Sequence, residues 1–65
     1  MDLNAYLESR RLTYKEFAAM VDMHPNTIRN YAHGRRIPTL SAALTIEGAT
    51  NGKVRIKDQM RGKNG

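Results

Sequence analysis

The stretch Thr13-Tyr-Lys-Glu-Phe-Ala-Ala-Met-Val-Asp-Met-His-Pro-Asn-Thr-Ile-Arg-Asn-Tyr-Ala-His-Gly34 decides the reading of this chain. Phe17, Ala18 and Val21 fall at i, i+1 and i+4, and Ile28 and Tyr31 lie three apart, so each half of the stretch has one apolar side. Two short helices around a tight turn can close those sides on each other. Asn26, Arg29 and Asn30 are then left facing outward on the second helix.

The boundaries of both helices are written locally. Thr13 can accept the Glu16 backbone N–H while the Glu16 carboxylate reaches back to the Thr13 N–H, a reciprocal capping box, with Leu12 against Phe17 as an approximate staple. The first helix therefore begins at Tyr14. It stops near Val21, because Asp22-Met23-His24-Pro25 breaks the pattern and a residue before proline is pushed out of the helical region. Pro25 then opens the next helix, where its missing N–H costs nothing. His24 falls at the cap, although histidine is a poor capping residue. Gly34 ends the helix, since glycine takes the left-handed cap conformation without strain.

Working outward, Asp2 or Asn4 can cap a helix running to about Arg10, with Leu3, Tyr6 and Leu7 on its apolar side. Arg10 and Arg11 at its C-terminal end compensate the helix dipole. After the loop Gly34-Arg35-Arg36-Ile37-Pro38, Thr39 can cap a helix from Leu40 to about Thr50. Ala42, Ala43, Ile46 and Ala49 form one stripe on it, and Leu40 and Leu44 a neighbouring one. This surface is wide enough to cover both preceding helices or to leave area for a second subunit; core is the expected use. Gly48 inside this helix costs up to about 1 kcal/mol relative to alanine, which points to fraying or a close contact. Lys53-Val54-Arg55-Ile56-Lys57 alternates as a short edge strand would, yet Ile56 and Met60 are one helical turn apart, so both readings stand. Residues 61–65 carry no apolar side chain and are expected to be a flexible basic tail beyond a domain spanning residues 1–60.

Composition narrows the function classes. The chain has 65 residues, room for one small core, and no cysteine; His24 and His33 are its two histidines, so disulfide and metal staples are not expected. No cofactor is expected either. No segment approaches the roughly 18 apolar residues of a membrane span and no leader pattern opens the chain, which predicts a cytoplasmic protein with no membrane partner. The net charge of +5 is unevenly placed. Arg10, Arg11, Lys15 and Arg29 are balanced by Asp2, Glu8, Glu16 and Asp22, whereas from Gly34 onward seven cations face only Glu47 and Asp58. A basic domain attracts polyanions, either nucleic acid or an anionic surface. An enzyme is not expected. No Ser/His/Asp set, phosphate-binding glycine loop or paired carboxylates can be assembled.

With these residues laid out, the chain resembles the Cro and phage-repressor (XRE-like) helix-turn-helix family over roughly Leu3 to Val54. The resemblance rests on Leu12-Thr13-x-x-Glu16-Phe17-Ala18, Met23, Ile28, Tyr31, Gly34-Arg35-Arg36-x-Pro38, and Ile46 through Gly52-x-Val54. It implies an all-α, four- to five-helix λ-repressor-like domain with its motif over residues 14–33. Two departures stand out. Asp22 occupies a turn position where the family usually has glycine, though aspartate tolerates the positive φ required there. His24-Pro25 replaces the polar residues that commonly open the second motif helix, so contacts at that end come from His24 or from packing.

The implied function is double-stranded DNA binding, with the helix over residues 25–33 in a major groove about 12 Å wide. Asn26 and Asn30 can each pair with adenine N6 and N7, and Arg29 with guanine O6 and N7 or a phosphate; a good bidentate contact contributes about 1–3 kcal/mol of discrimination. Thr27 is divided between core packing and a thymine methyl. The resemblance places Tyr14, Arg35 and Arg36 on the phosphate backbone, with Lys15 a weaker candidate. Because one helix reads only a few base pairs, an operator with two-fold symmetry and a homodimer are expected. The fold also serves antitoxin or anti-repressor interaction modules and DNA-bending recombination directionality factors. RNA binding is less favoured, since no exposed aromatic platform is present.

Overall fold

A computed structural model describes residues 1–60 of the chain. Among them run five helices, α1 (Leu3–Arg10), α2 (Tyr14–Val21), α3 (Pro25–Ala32), α4 (Leu40–Ala49) and α5 (Ile56–Met60), and no strand. The expected all-α, helix-turn-helix architecture is therefore present. The expected basic tail, residues 61–65, lies outside the described residues.

Each helix start follows from a side chain that satisfies an otherwise unpaired N–H. Asp2 Oδ1 accepts from the Ala5 N–H at 2.8 Å, and Thr39 Oγ1 from the Ala42 N–H at 3.2 Å. The capping box of α2 is complete, with Thr13 Oγ1 accepting from Glu16 at 3.0 Å and Glu16 Oε1 from Thr13 at 2.9 Å. His24 also caps in fact, since its Nδ1 accepts the Asn26 N–H at 3.1 Å ahead of Pro25.

The helix ends share one device. Arg11, Asp22, Gly34 and Asn51 all take the left-handed conformation, with φ between 55° and 72°. The next N–H then folds back onto a carbonyl in the last turn: Leu12 to Leu7, Met23 to Ala18, Arg35 to Asn30 and Gly52 to Glu47, at 2.8–3.0 Å. Only one of the four left-handed residues is glycine, so three side chains bear the cost that the geometry imposes.

Packing follows from the apolar faces. α2 packs on α3 and α4, α1 on α3, and α5 on α4. Phe17, Ile28, Ile46 and Val54 are completely buried at the centre, with Leu3, Tyr6, Leu7, Ala18 and Val21 around them. Tyr6 meets Phe17 edge to face with centroids 6.3 Å apart, and the Arg10 guanidinium lies 5.4 Å over the Tyr6 ring. Arg10 thus has a packing role beyond compensating the dipole.

Two sequence expectations are resolved here. The alternating segment 53–57 is loop leading into helix. Val54 turns into the core with its N–H donated to Thr50 Oγ1 at 3.1 Å, and the Arg55 N–H donates to Asp58 Oδ2 at 3.0 Å, which starts α5. With no strand beside it, the alternation has nothing to pair with. The second concerns Leu40 and Leu44, which were expected in the core and are 63% and 52% exposed. At about 100° per residue the buried face of α4 is centred on Ala43, Ile46 and Thr50, and both leucines fall on the other side.

Asp58 also accepts from the N-terminal ammonium of Met1 at 3.1 Å, which in turn donates to the Lys53 carbonyl. The Arg55 N–H, followed by that ammonium, holds the Asp58 carboxyl below the usual carboxylate range. A folded pKa lower than the unfolded one means that stability from Asp58 is present at neutral pH and is lost as pH falls below about 4 toward the depressed value. Asp58→Asn should therefore weaken the fold at pH 7 and flatten the acid limb of a stability–pH curve measured by urea denaturation. At the helix ends, Arg11→Gly should raise stability by about 0.5–1 kcal/mol by relieving the left-handed backbone, while Asn51→Gly stays near neutral because asparagine tolerates that conformation. Thermal melts of the two variants compare them directly.

Candidate nucleic-acid interface

The outward side of α3 is set by the burial of its other side. Ile28 is fully buried, and Tyr31 and Ala32 pack against the core. The opposite face carries Asn26 and Arg29, both exposed, and Asn30, half-buried at its edge. Thr27 is also half-buried, on the flank. His24 is exposed at the start of the helix. Because its Nδ1 accepts the Asn26 N–H, the neutral ring carries its proton on Nε2, leaving that N–H as the donor free to meet an external acceptor.

The residues expected on the backbone flank this helix at both ends. Lys15 is exposed in the first turn of α2, and Arg35 and Arg36 are exposed in the loop that follows α3. Arg36 borders a cleft that also holds Asp2 and Asp58, yet it forms an ion pair with neither. Tyr14 is half-buried, and its hydroxyl lies 3.0 Å from His33 Nε2, with the two rings edge to face at 6.0 Å. This bond ties the first residue of α2 to the C-terminal cap of α3.

His33, the C-cap of α3, is not among the contact residues expected from the sequence. Nineteen residues separate it from Tyr14. The signal that could have found the pair is geometric: the packing of α3 on α2 brings those two positions together. The tautomer decides what Tyr14 can do. If Nε2 carries the proton, the imidazole donates to the Tyr14 oxygen and leaves the phenolic O–H free; if Nδ1 carries it, the O–H is spent on the ring.

Five short helices with a polar outer face on the second of a packed pair, flanked by exposed cations, define a helix-turn-helix DNA-binding domain. A helix-turn-helix family model matches residues 3–56. The chain belongs to that family, of the XRE type to which Cro and the λ repressor belong, and is a DNA-binding regulator of that type rather than a member of an enzyme family. No curated protein and no solved structure matches it significantly. Among the described residues no helix is long and apolar enough to cross a membrane.

The Tyr14–His33 bond should contribute to holding the two motif helices in register. A double-mutant cycle of Tyr14→Phe and His33→Leu, read by urea unfolding, should give a coupling of about 0.5–1.5 kcal/mol, the usual net value of one such bond. Strict additivity would show that the contact does not stabilise the pair.

Proposed function

We propose that the chain is a sequence-specific transcriptional regulator, a Cro-like phage or prophage repressor that binds a two-fold symmetric operator as a homodimer. The observation that carries this reading is the division of α3, with Ile28 sealed in the core and Asn26, Arg29 and Asn30 on the opposite side. These are the side chains with the bidentate geometry to read adenine and guanine edges. His24 adds a single Nε2–H donor at the helix start, and Thr27 offers its methyl from the flank.

Positioning falls to Tyr14, Lys15, Arg35 and Arg36 on phosphates. A phosphate oxygen needs a donor, so binding would select the His33 tautomer that frees the Tyr14 hydroxyl. The near-neutral charge of residues 1–33 fits this division: edges are read by amides and one arginine, and the electrostatic grip comes from the basic segment after His33.

The decisive experiment is selection of bound sites from random duplex DNA, which yields base preference, half-site spacing and symmetry together. Spacing near 34 Å, one helical turn, is expected for a two-fold dimer. With about four phosphates neutralised per protomer, log K should fall against log salt with a slope near −3.6. A flat salt response would rule out DNA as the ligand. An interaction module of the antitoxin type would return no preferred site, and a directionality factor would return repeated sites with DNA bending. On a selected site, Asn30→Ala should relax preference at one base position, whereas Arg36→Ala should weaken all sequences alike and reduce the salt slope by about 1. Fluorescence anisotropy titrations on matched and mismatched duplexes separate the two effects.

A further inference from the structure

His33 stands where the two motif helices, the following loop and α5 come together. It is the C-cap of α3, at the negative end of that helix, and its half-buried ring holds Nε2 at 3.0 Å from the Tyr14 hydroxyl. We propose that His33 is a positioning residue for a phosphate contact made by Tyr14, and that a proton taken up by its ring on DNA binding turns the Tyr14 hydroxyl outward as a donor. This deepens the DNA-binding reading and rests on it.

The Tyr14–His33 bond has three protonation states. With the hydrogen on Nδ1, Nε2 accepts from the phenol, and the hydroxyl presents only lone pairs to an incoming phosphate oxygen. With it on Nε2, the ring donates to the phenolic oxygen and the O–H is free, but the neutral ring can return to the other tautomer. In the imidazolium both nitrogens carry hydrogen, so Nε2 can only donate, and the O–H must point away from the ring. A charged donor also polarises the phenol and strengthens its hydroxyl as a donor to phosphate. The proton comes from solvent and stays on the ring, so Tyr14 keeps its own.

The surrounding charges come from several elements. Tyr14 faces the ring from α2. The cleft that His33 borders is also lined by Asp2 ahead of α1, Tyr31 on α3, Arg36 in the loop and Asp58 on α5. Asp58 is held ionised by the Arg55 N–H and by the terminal ammonium paired with it. Arg29, one turn back on α3, accepts the His33 N–H at its carbonyl. Two carboxylates and the carbonyl end of α3 favour a cation at this position, whereas Arg36 and the ammonium oppose it. A phosphate beside Tyr14 adds another negative charge, so duplex and proton favour each other's binding. Residues 1–33 carry four cations and four acids, so this proton would give the motif its first net positive charge.

Fluorescence anisotropy of the intact chain on a duplex recovered by site selection tests the proposal, at constant ionic strength from about pH 8.5 to about 5.5, the range in which histidine titrates. Affinity should rise about 5- to 10-fold on acidification, the difference between a charge-assisted and a neutral hydrogen bond, with no more than one proton taken up per protomer. Tyr14→Phe should weaken binding several-fold more at the acid end than at the alkaline end. His33→Gln keeps an amide donor without a titrating proton, so its affinity should be flat with pH. His33→Leu should be flat and weaker than His33→Gln throughout, and Tyr14→Phe serves if both His33 variants misfold. Proton uptake at His24 acts against the fold, because a protonated Nδ1 cannot accept the Asn26 N–H. His24→Ser, which retains a cap, should therefore keep the rise. Affinity that stays flat or falls on acidification in both the parent and His24→Ser overturns the inference and leaves the DNA reading intact. So does a rise undiminished in His33→Gln, or one lost in His24→Ser. A rise lost in His33→Gln while Tyr14→Phe costs the same at both ends overturns the role of the hydroxyl, because charge alone then accounts for it. A chain that binds no duplex at any pH removes this inference and the DNA reading together.

Discussion

The structure depends on the crossing of α2 and α3, and that crossing depends on the three-residue bend Asp22–His24. Asp22 in the left-handed conformation turns the chain, and the Met23 N–H returns to the Ala18 carbonyl at 2.9 Å. Ala18, almost wholly buried, is small enough to let the two backbones approach there, while Phe17 and Ile28 fill the angle on either side. A larger side chain at Ala18 would push α3 away and rotate Asn26, Arg29 and Asn30 together. The other helices act as buttresses of this angle: α1 closes over α3, α4 over α2, and α5 holds α4 through the Gln59 amide, which donates to the Ala43 carbonyl at 3.0 Å.

Because the crossing is fixed by backbone closure and apolar contact, charge is left free for the surface. The motif itself is nearly neutral, and its cations gather beyond His33. Under the proposed role of α3, a positively charged helix would bind any sequence almost equally well through phosphates, so near-neutrality there would favour discrimination over grip. In the proposed DNA complex the loop holding Arg35 and Arg36 would then supply affinity without carrying sequence information, its geometry being set by Gly34 and by the Arg35 N–H returning to Asn30.

Most of the helical framework was legible because its signals are local. The capping box at Thr13 and Glu16, the caps at Asp2 and Thr39, Pro25 and Gly34 act within a few residues, and α2 runs over the expected Tyr14–Val21. What the sequence left open or misplaced depends on partners far along the chain. The alternation over residues 53–57 fits a strand or a helix until one knows that Val54 is buried and that Asp58 caps Arg55. Leu40 and Leu44 read as core because an apolar stripe on a ten-residue helix does not say which edge another helix covers. The bond between Tyr14 and His33 joins residues on different helices and has no local pattern. For the candidate reading face, periodicity put Asn26, Arg29 and Asn30 on one side, but it could not say that Asn30 sits half-buried at the edge.

The surface residues differ in how far fold and proposed recognition can be separated. His24 caps α3 through Nδ1, and Tyr14 is bonded to His33, so both belong to the folding network and to the expected DNA face. Changing either one alters helix position as well as any contact it makes, and a loss of binding there has two causes. Asn26, Arg29, Asn30, Arg35 and Arg36 hold no side-chain hydrogen bond among the described residues. Their side chains are conformationally freer in the unbound chain, so contacts with DNA would have to offset their ordering. The same freedom makes these the positions where base preference can change without disturbing the scaffold. Tyr14 and His24 instead fix where the helix ends stand, and through them the register in which the freer residues meet a groove.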